Sequence, residues 1–180
     1  MPDRRIIKTE QQIADVFLAA LADHPLSKIS VAAITRSANI NRGTFYLHYK
    51  DVFDLYSKVS QEFIADLERV FDETYPDDEV PTAFVTLTNK ILNYIQTNEY
   101  AFKILLQADN NAEFIEQIRN LFIRKIIEKE KIPESNQDYI IDVIYNVNGA
   151  IGVITAWEKG DLNCDIETIT ERLATIFGIL

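Results

Sequence analysis

The chain holds 180 residues, 47% hydrophobic and 26% charged, the make-up of an ordinary globular protein. Five glycines and five prolines leave little material for a turn-rich β architecture, and a single cysteine, Cys164, excludes an intrachain disulfide and a cysteine-based zinc site. The formal net charge of −10 speaks against a nucleic-acid partner until its distribution is considered. Residues 1–50 carry seven Lys or Arg against four Asp or Glu, a net of +3, and the rest of the chain carries −13. A basic head on an acidic body has to present only the head to phosphate.

Apolar residues recur at helical spacing almost throughout. Ile6, Ile13, Val16, Phe17, Ala20 and Leu21 make one stripe on a first helix that ends near His24, before Pro25. Ser30 is placed to cap a short second helix through Ser37. Asn39 falls where the chain must turn, and Asn tolerates the left-handed conformation better than other non-Gly residues. Asn41 caps a third helix over about Arg42–Leu47, and Asp51 with Asp54 opens a long fourth helix to about Tyr75. PDDEVP at 76–81 is the clearest break. Helices are then expected over Thr82–Thr97, Tyr100–Gln107 and Glu113–Lys131, the last stopped by Pro133. Asn136 or Asp138 starts a long apolar helix ending near Lys159 with Gly160 as its cap, and Asp165 opens a final helix to about Ile176. The expectation is an all-α protein of about nine helices. A three-helix helix-turn-helix domain over 1–50 stands before a larger helical ligand-binding and dimerisation domain over 51–180.

The stretch SVAAITRSANINRGTFYLHY at 30–49 has the layout of a helix-turn-helix, whose second helix lies in the major groove of DNA. Arg42, Gly43 and Thr44 occupy the leading turn of that helix. Arg42 can offer a two-pronged donor to guanine O6 and N7. Gly43 allows close backbone approach, and Thr44 and Tyr46 can offer hydroxyls to phosphate. His48 and Lys50 lie past the helix, where backbone contacts are expected; such contacts fix position and affinity but carry no sequence information directly. Arg4, Arg5, Ser30, Asn41 and Tyr49 complete the expected DNA-binding set.

At these residues the chain resembles the TetR/AcrR family of transcriptional regulators: a Ser30 cap, Ile34-Thr35, Ala38-Asn39 at the turn, then Gly43-Thr44-Phe45-Tyr46 and Tyr49. The resemblance covers about residues 5–60. Two departures stand out. Asn39 replaces the usual turn glycine, and Val52 stands where the family places a phosphate-contacting lysine, with Lys50 as a possible substitute and a somewhat weaker DNA affinity expected. The resemblance implies a body that dimerises through its last two helices and holds a small-molecule pocket among the middle ones. Pocket candidates are Phe63, Leu67, Phe84, Leu87, Ile91, Tyr94, Phe102, Leu106, Phe114, Ile118, Tyr145 and Asn148.

The residues support dimerisation independently. From Tyr139 to Trp157 the chain is apolar on nearly every side, and a helix of that kind needs more burial than one neighbour gives. Gly149 and Gly152 would let a second helix approach closely. The expected interface comprises Tyr139, Val143, Val147, Ile151, Ile154, Trp157, Ile169, Leu173 and Ile176 about a two-fold axis.

His24 and His48 are the only histidines, and no nucleophile–base set, phosphate loop or metal-ligand cluster can be assembled. No enzyme activity and no cofactor are expected. No run reaches the roughly 18 uninterrupted apolar residues of a membrane span, and the N-terminus lacks a signal-peptide core, so a cytoplasmic protein without a membrane partner is expected. The function that follows is a homodimeric repressor, bound to a near-palindromic double-stranded operator and released from it by an unidentified small molecule. The alternative is an activator whose body binds a partner protein instead.

Overall fold

The computed structural model describes residues 4–75, 80–109 and 111–176, with the backbone alone over 80–85. Among these residues every regular element is helical: α1 (Arg4–Asp23), a 3-10 turn (Leu26–Lys28), α2 (Val31–Ser37), α3 (Arg42–His48), α4 (Val52–Thr74), α5 (Val80–Thr97), α6 (Glu99–Gln107), α7 (Asn111–Lys129), α8 (Gln137–Glu158) and α9 (Ile166–Ile176).

The helix starts are chemical. Ser30 Oγ accepts from Ala33 N at 3.2 Å, Asn41 Oδ1 from Thr44 N at 2.7 Å, Asp51 Oδ1 from Asp54 N at 2.8 Å, Asn136 Oδ1 from Tyr139 N at 3.3 Å and Asp165 Oδ1 from Thr168 N at 2.8 Å. Each satisfies an amide that a first turn leaves without a partner, worth about 1 kcal/mol.

The helix ends share one device. Asn39 (φ 50°), Lys131 (φ 50°) and Gly160 (φ 80°) are the positive-φ residues among those described, and each sits just past a helix. Behind each, the next amide reaches back five residues: Ile40 N to Thr35 O at 3.0 Å, Ile132 N to Ile127 O at 3.1 Å and Asp161 N to Ala156 O at 2.9 Å. This is the Schellman arrangement, which turns the chain through one left-handed residue while occupying the last carbonyls. It explains why α7 stops at Lys129 rather than at the expected Lys131: the stop is written in backbone geometry, not in Pro133.

The chain divides into two compact units, Met1–Phe63 with Ile104–Asn111, and Ile64–Lys103 with Ala112–Leu180. This grouping does not fall at the expected boundary between residues 50 and 51. The first half of α4 buries Val52, Leu55, Tyr56, Val59 and Phe63, so it counts with the head, and no linker marks the change. In the first unit α2 packs on α1 and α3, and Ile13, Phe17, Leu26, Ile34, Phe45 and Leu55 are among its most buried side chains. Ile6, expected on the buried stripe of α1, is exposed.

The second unit has two apolar clusters. Phe71, Tyr75, Leu87, Ile126, Val143 and Val147 form one, and Leu92, Ile169 and Leu173 form the other with Ile154 and Trp157 against it. Along the outside of α4 and α7, Lys125 Nζ lies 2.7 Å and 3.1 Å from carboxylate oxygens of Asp72 and Glu68, and Arg124 reaches Glu68 at 3.3 Å. Tyr75 donates a hydrogen bond to Glu130.

Candidate nucleic-acid interface

Helix α3 is fixed from behind and bare in front. Its one fully buried side chain is Phe45, which meets the Tyr46 ring edge-on at 5.6 Å and the Tyr49 ring at 5.5 Å. The turn leading into it is held by Gln12 of α1, whose Nε2 donates to the Ala38 carbonyl at 2.7 Å. The front face carries Arg42, Gly43, Tyr46 and Leu47, all exposed, with Thr44 half-buried beside them. Arg42 Nη2 donates to the Tyr46 hydroxyl at 3.1 Å, one helical turn on, and its guanidinium lies 5.9 Å from the Tyr46 ring centre. Arg42 and Tyr46 thus lie on one exposed row as a linked pair.

Gly43 has a second reason to be glycine. A Cβ there would stand 3.1 Å from Asn41 Oδ1, and that oxygen already accepts from both the Thr44 amide and the Thr44 hydroxyl, the latter at 3.1 Å. The cap therefore has little freedom to yield.

The end of α3 differs from expectation at two residues. Tyr49 is buried, 5% exposed, with Lys58 Nζ 5.0 Å above its ring. Burial, and then Glu10, Glu62 and Asp54, push its hydroxyl well above the ordinary tyrosine range. Its buried position against Phe45 makes it a strut for α3. His48, expected at phosphate, has Nδ1 3.1 Å from Glu10 Oε1 of α1, and its side chain is only 11% exposed. The partner lies 38 residues upstream, beyond the reach of any local pattern.

Val52 is buried at the start of α4 and offers no charge to phosphate. Lys50 is exposed, and its backbone amide donates to Asp54 Oδ2 at 2.9 Å. Lys58, absent from the expected set, donates to the His48 carbonyl at 2.5 Å and so closes the C-terminal end of α3. Its i, i+4 spacing from Asp54, 3.7 Å away, is the one sequence signal that points to it. Arg4 and Arg5 lie exposed on the first turn of α1, and Ser30 and Asn41 act as caps with exposed side chains.

Known proteins share this fold. Residues 85–178 match the model of a TetR-type transcriptional regulator C-terminal region. The chain belongs to the TetR family of transcriptional regulators. It is similar to the HTH-type transcriptional regulator AcrR of Shigella flexneri, 34% identical over 74 residues, and that stretch is 39% of this chain and 34% of AcrR, so the likeness spans about a third of the relative. The HTH-type dhaKLM operon transcriptional activator DhaS of Lactococcus lactis subsp. lactis is 26% identical over 130 residues, 71% of this chain and 66% of DhaS. Among solved structures, a TetR-like transcriptional regulator from Rhodococcus sp. RHA1 shares the fold with a TM-score of 0.71 at 17% identity, over 94% of this chain and 93% of that one.

As a TetR-family regulator the chain carries its DNA-binding helix-turn-helix in the first unit, and its second unit holds two apolar features. One is a cavity of about 70 Å³ lined by Leu87, Ile91, Phe122, Val147, Ile151 and Leu173 among others. Of the expected pocket residues with described side chains, Leu87 and Ile91 reach it. Phe63, Leu67, Leu106 and Ile118 are buried core, and Phe102 and Phe114 are buried edge to face at 6.2 Å. Tyr94 donates its hydroxyl to Asp66 at 3.1 Å. Phe84 lies outside the described side chains. Tyr145 is 74% exposed and Asn148 is also exposed, bonding the Ile144 carbonyl at 2.7 Å, so neither lines this cavity; both line the groove described next.

The other feature is an open groove of about 610 Å³ on α8 and α9, lined by Ile141, Ile144, Tyr145, Gly149, Val153 and Ile176 among others. Here the residues expected at the interface divide between the inside and the outside of the unit. Val143 and Val147 belong to the unit's own core with Ile151 packed beside them, Ile169 and Leu173 are buried with Ile154 and Trp157 against them, and Tyr139 and Ile176 are exposed. The outward apolar row is Ile141, Ile144 and Tyr145. A helix apolar on both faces gives no sequence signal for which stripe turns inward.

Proposed function

We propose that this TetR-family regulator works as a homodimer that lays α3 of each copy into successive major grooves of a near-palindromic operator and represses transcription until a small molecule releases it. The observation that carries the DNA part is the exposed row of Arg42, Gly43, Thr44 and Tyr46 on a helix whose back is fixed by Phe45 and whose start is fixed by Asn41. Arg42 reads bases, and Tyr46 and Lys50 take phosphate. Leu47, 83% exposed on the same short helix, offers an apolar surface suited to a thymine methyl. The dimer is supported by the groove on α8 and α9, whose exposed isoleucines and open glycines suit a second copy of the same helix. By length and composition α8 also matches a membrane span, but Asp142, Asn146 and Asn148 interrupt it, which suits a protein partner better.

The test is a duplex selected by the protein itself from a random pool. Arg42→Ala should weaken that duplex by about 1–3 kcal/mol and relax base preference at its contacts. Tyr46→Phe should weaken selected and unselected duplexes alike. Wild-type affinity in Arg42→Ala removes α3 from the reading role.

A second reading, activation through a protein partner, is favoured by two observations. The apolar cavity is far below the roughly 300 Å³ where small-ligand sites begin, and DhaS is named as an activator. Deleting the gene decides between them: transcripts from the bound promoter rise if the protein represses and fall if it activates.

A further inference from the structure

The apolar cavity of about 70 Å³ and the groove of about 610 Å³ on α8 and α9 are neighbours. Asn146, Ala150 and Leu173 line both. One turn of α8 and one leucine of α9 therefore form the partition between them. Asn146 and Ala150 are half-buried, whereas Leu173 is 2% exposed and sits in the second apolar cluster.

The cavity limits the chemistry of an occupant. None of its lining residues is ionisable, and its polar members are Thr88 and Asn146. A charged group entering it would lose its hydration and find no ionic partner. An occupant is therefore uncharged and chiefly apolar. Size is the second limit. An apolar cavity of about 150 Å³ takes one benzene ring, and this one has about half that volume. A ring can enter only if a wall moves.

The walls are not equally free to move. Leu87 and Leu92 are 3% and 1% exposed, and each belongs to an apolar cluster, with Phe122 packed against the first. A close-packed interior of this kind resists compression. On α8 itself, nothing lies within 4 Å of where a Cβ would stand at Gly149 or Gly152. The wall that yields is the turn carrying Asn146 and Ala150, and it yields towards the groove.

That groove is where a second copy is proposed to sit, and the inference rests on that reading. We propose that an uncharged apolar molecule about the size of one benzene ring enters the cavity, pushes the Asn146–Ala150 turn of α8 into the groove and drives the two copies apart. An operator with two half-sites then loses the gain that comes from linking two heads. The coupling is reciprocal: pairing weakens ligand binding by the factor with which the ligand weakens pairing.

Benzene is the probe, added to the full-length protein, with sodium benzoate as the charged control. Sedimentation reads self-association, and headspace partition reads bound benzene. Saturable benzene binding is expected to raise the self-association Kd about fivefold or more, with no effect of benzoate. Thr88 lines the cavity and not the groove. Thr88→Leu should therefore fill the cavity and abolish the effect of benzene, while the free protein pairs as before. Ile91 also lines the cavity alone. Ile91→Ala enlarges it, so benzene should bind more tightly yet shift pairing less, because the partition need not move. Four results overturn the inference: no saturable benzene binding in the wild type, binding that leaves pairing unchanged or strengthens it, an equal effect of benzoate, or the full effect in Thr88→Leu. A protein that stays monomeric without benzene overturns the dimer reading and this inference with it. One that pairs but does not respond to benzene overturns this inference alone.

Discussion

Single residues around α3 serve two masters. Gly43 leaves room for the Asn41 cap and for a close backbone approach, so Gly43→Ala separates the two. Alanine is favoured over glycine within a helix by about 1 kcal/mol, and disturbing a cap costs about the same. The thermal midpoint of Gly43→Ala should therefore hardly move while DNA affinity falls. A large drop in the midpoint would show that the cap dominates. Glu158 gives the pH-dependent counterpart. Burial, reinforced by Glu99 and opposed by Lys103, raises its pKa above the ordinary carboxylate value, with exposed Lys159 beside it. The folded state then binds the proton more tightly than the unfolded state. Its penalty is absent below the unfolded pKa and grows as pH rises through the folded value. Glu158→Gln should accordingly raise the midpoint at about pH 8 and lose that advantage near about pH 4, as measured by thermal unfolding across the range. These roles were unequally legible. The caps could be read because their partners lie three residues away. The contacts of His48 with Glu10 and of Lys58 with the His48 carbonyl could not, since they exist only once α1 and α4 have packed on α3.

Among the elements, the three left-handed helix ends are not equally suited to their conformation. Gly160 adopts it without a Cβ penalty, Asn39 tolerates it, and Lys131 has no such allowance. Lys131→Gly should stabilise the protein by about 1 kcal/mol, less the extra chain entropy of glycine, visible as a higher urea midpoint at unchanged slope. A lower midpoint would mean that the lysine side chain contributes more than its backbone costs. The same position shows why α7 ends two residues before the expected Lys131. Pro133 is a visible stop, whereas a lysine at positive φ has no compositional signal. Helix number and order followed readily from capping residues and 3.6-residue spacing, because both are local. The inward face of α8 did not, since Val143 and Val147 differ from Ile141 and Ile144 only in what the rest of the unit places against them.

At the level of the whole molecule, Gly149 and Gly152 have open space around them, with nothing within 4 Å of where a Cβ would stand. Each weakens an isolated α8 by about 1 kcal/mol relative to alanine, and neither gains anything inside its own subunit. Converting both to alanine should therefore stiffen the single chain while hindering the close approach of a second copy. Sedimentation should show a larger monomer fraction, and unchanged self-association would remove the glycines from the interface. If α8 is completed by a second copy, as proposed, stability also becomes a function of abundance. Mass action enters the fold itself: the melting midpoint should climb with protein concentration, and dilution alone should loosen α8. The number of copies a cell holds would then set how much of this regulator is assembled before any signal arrives.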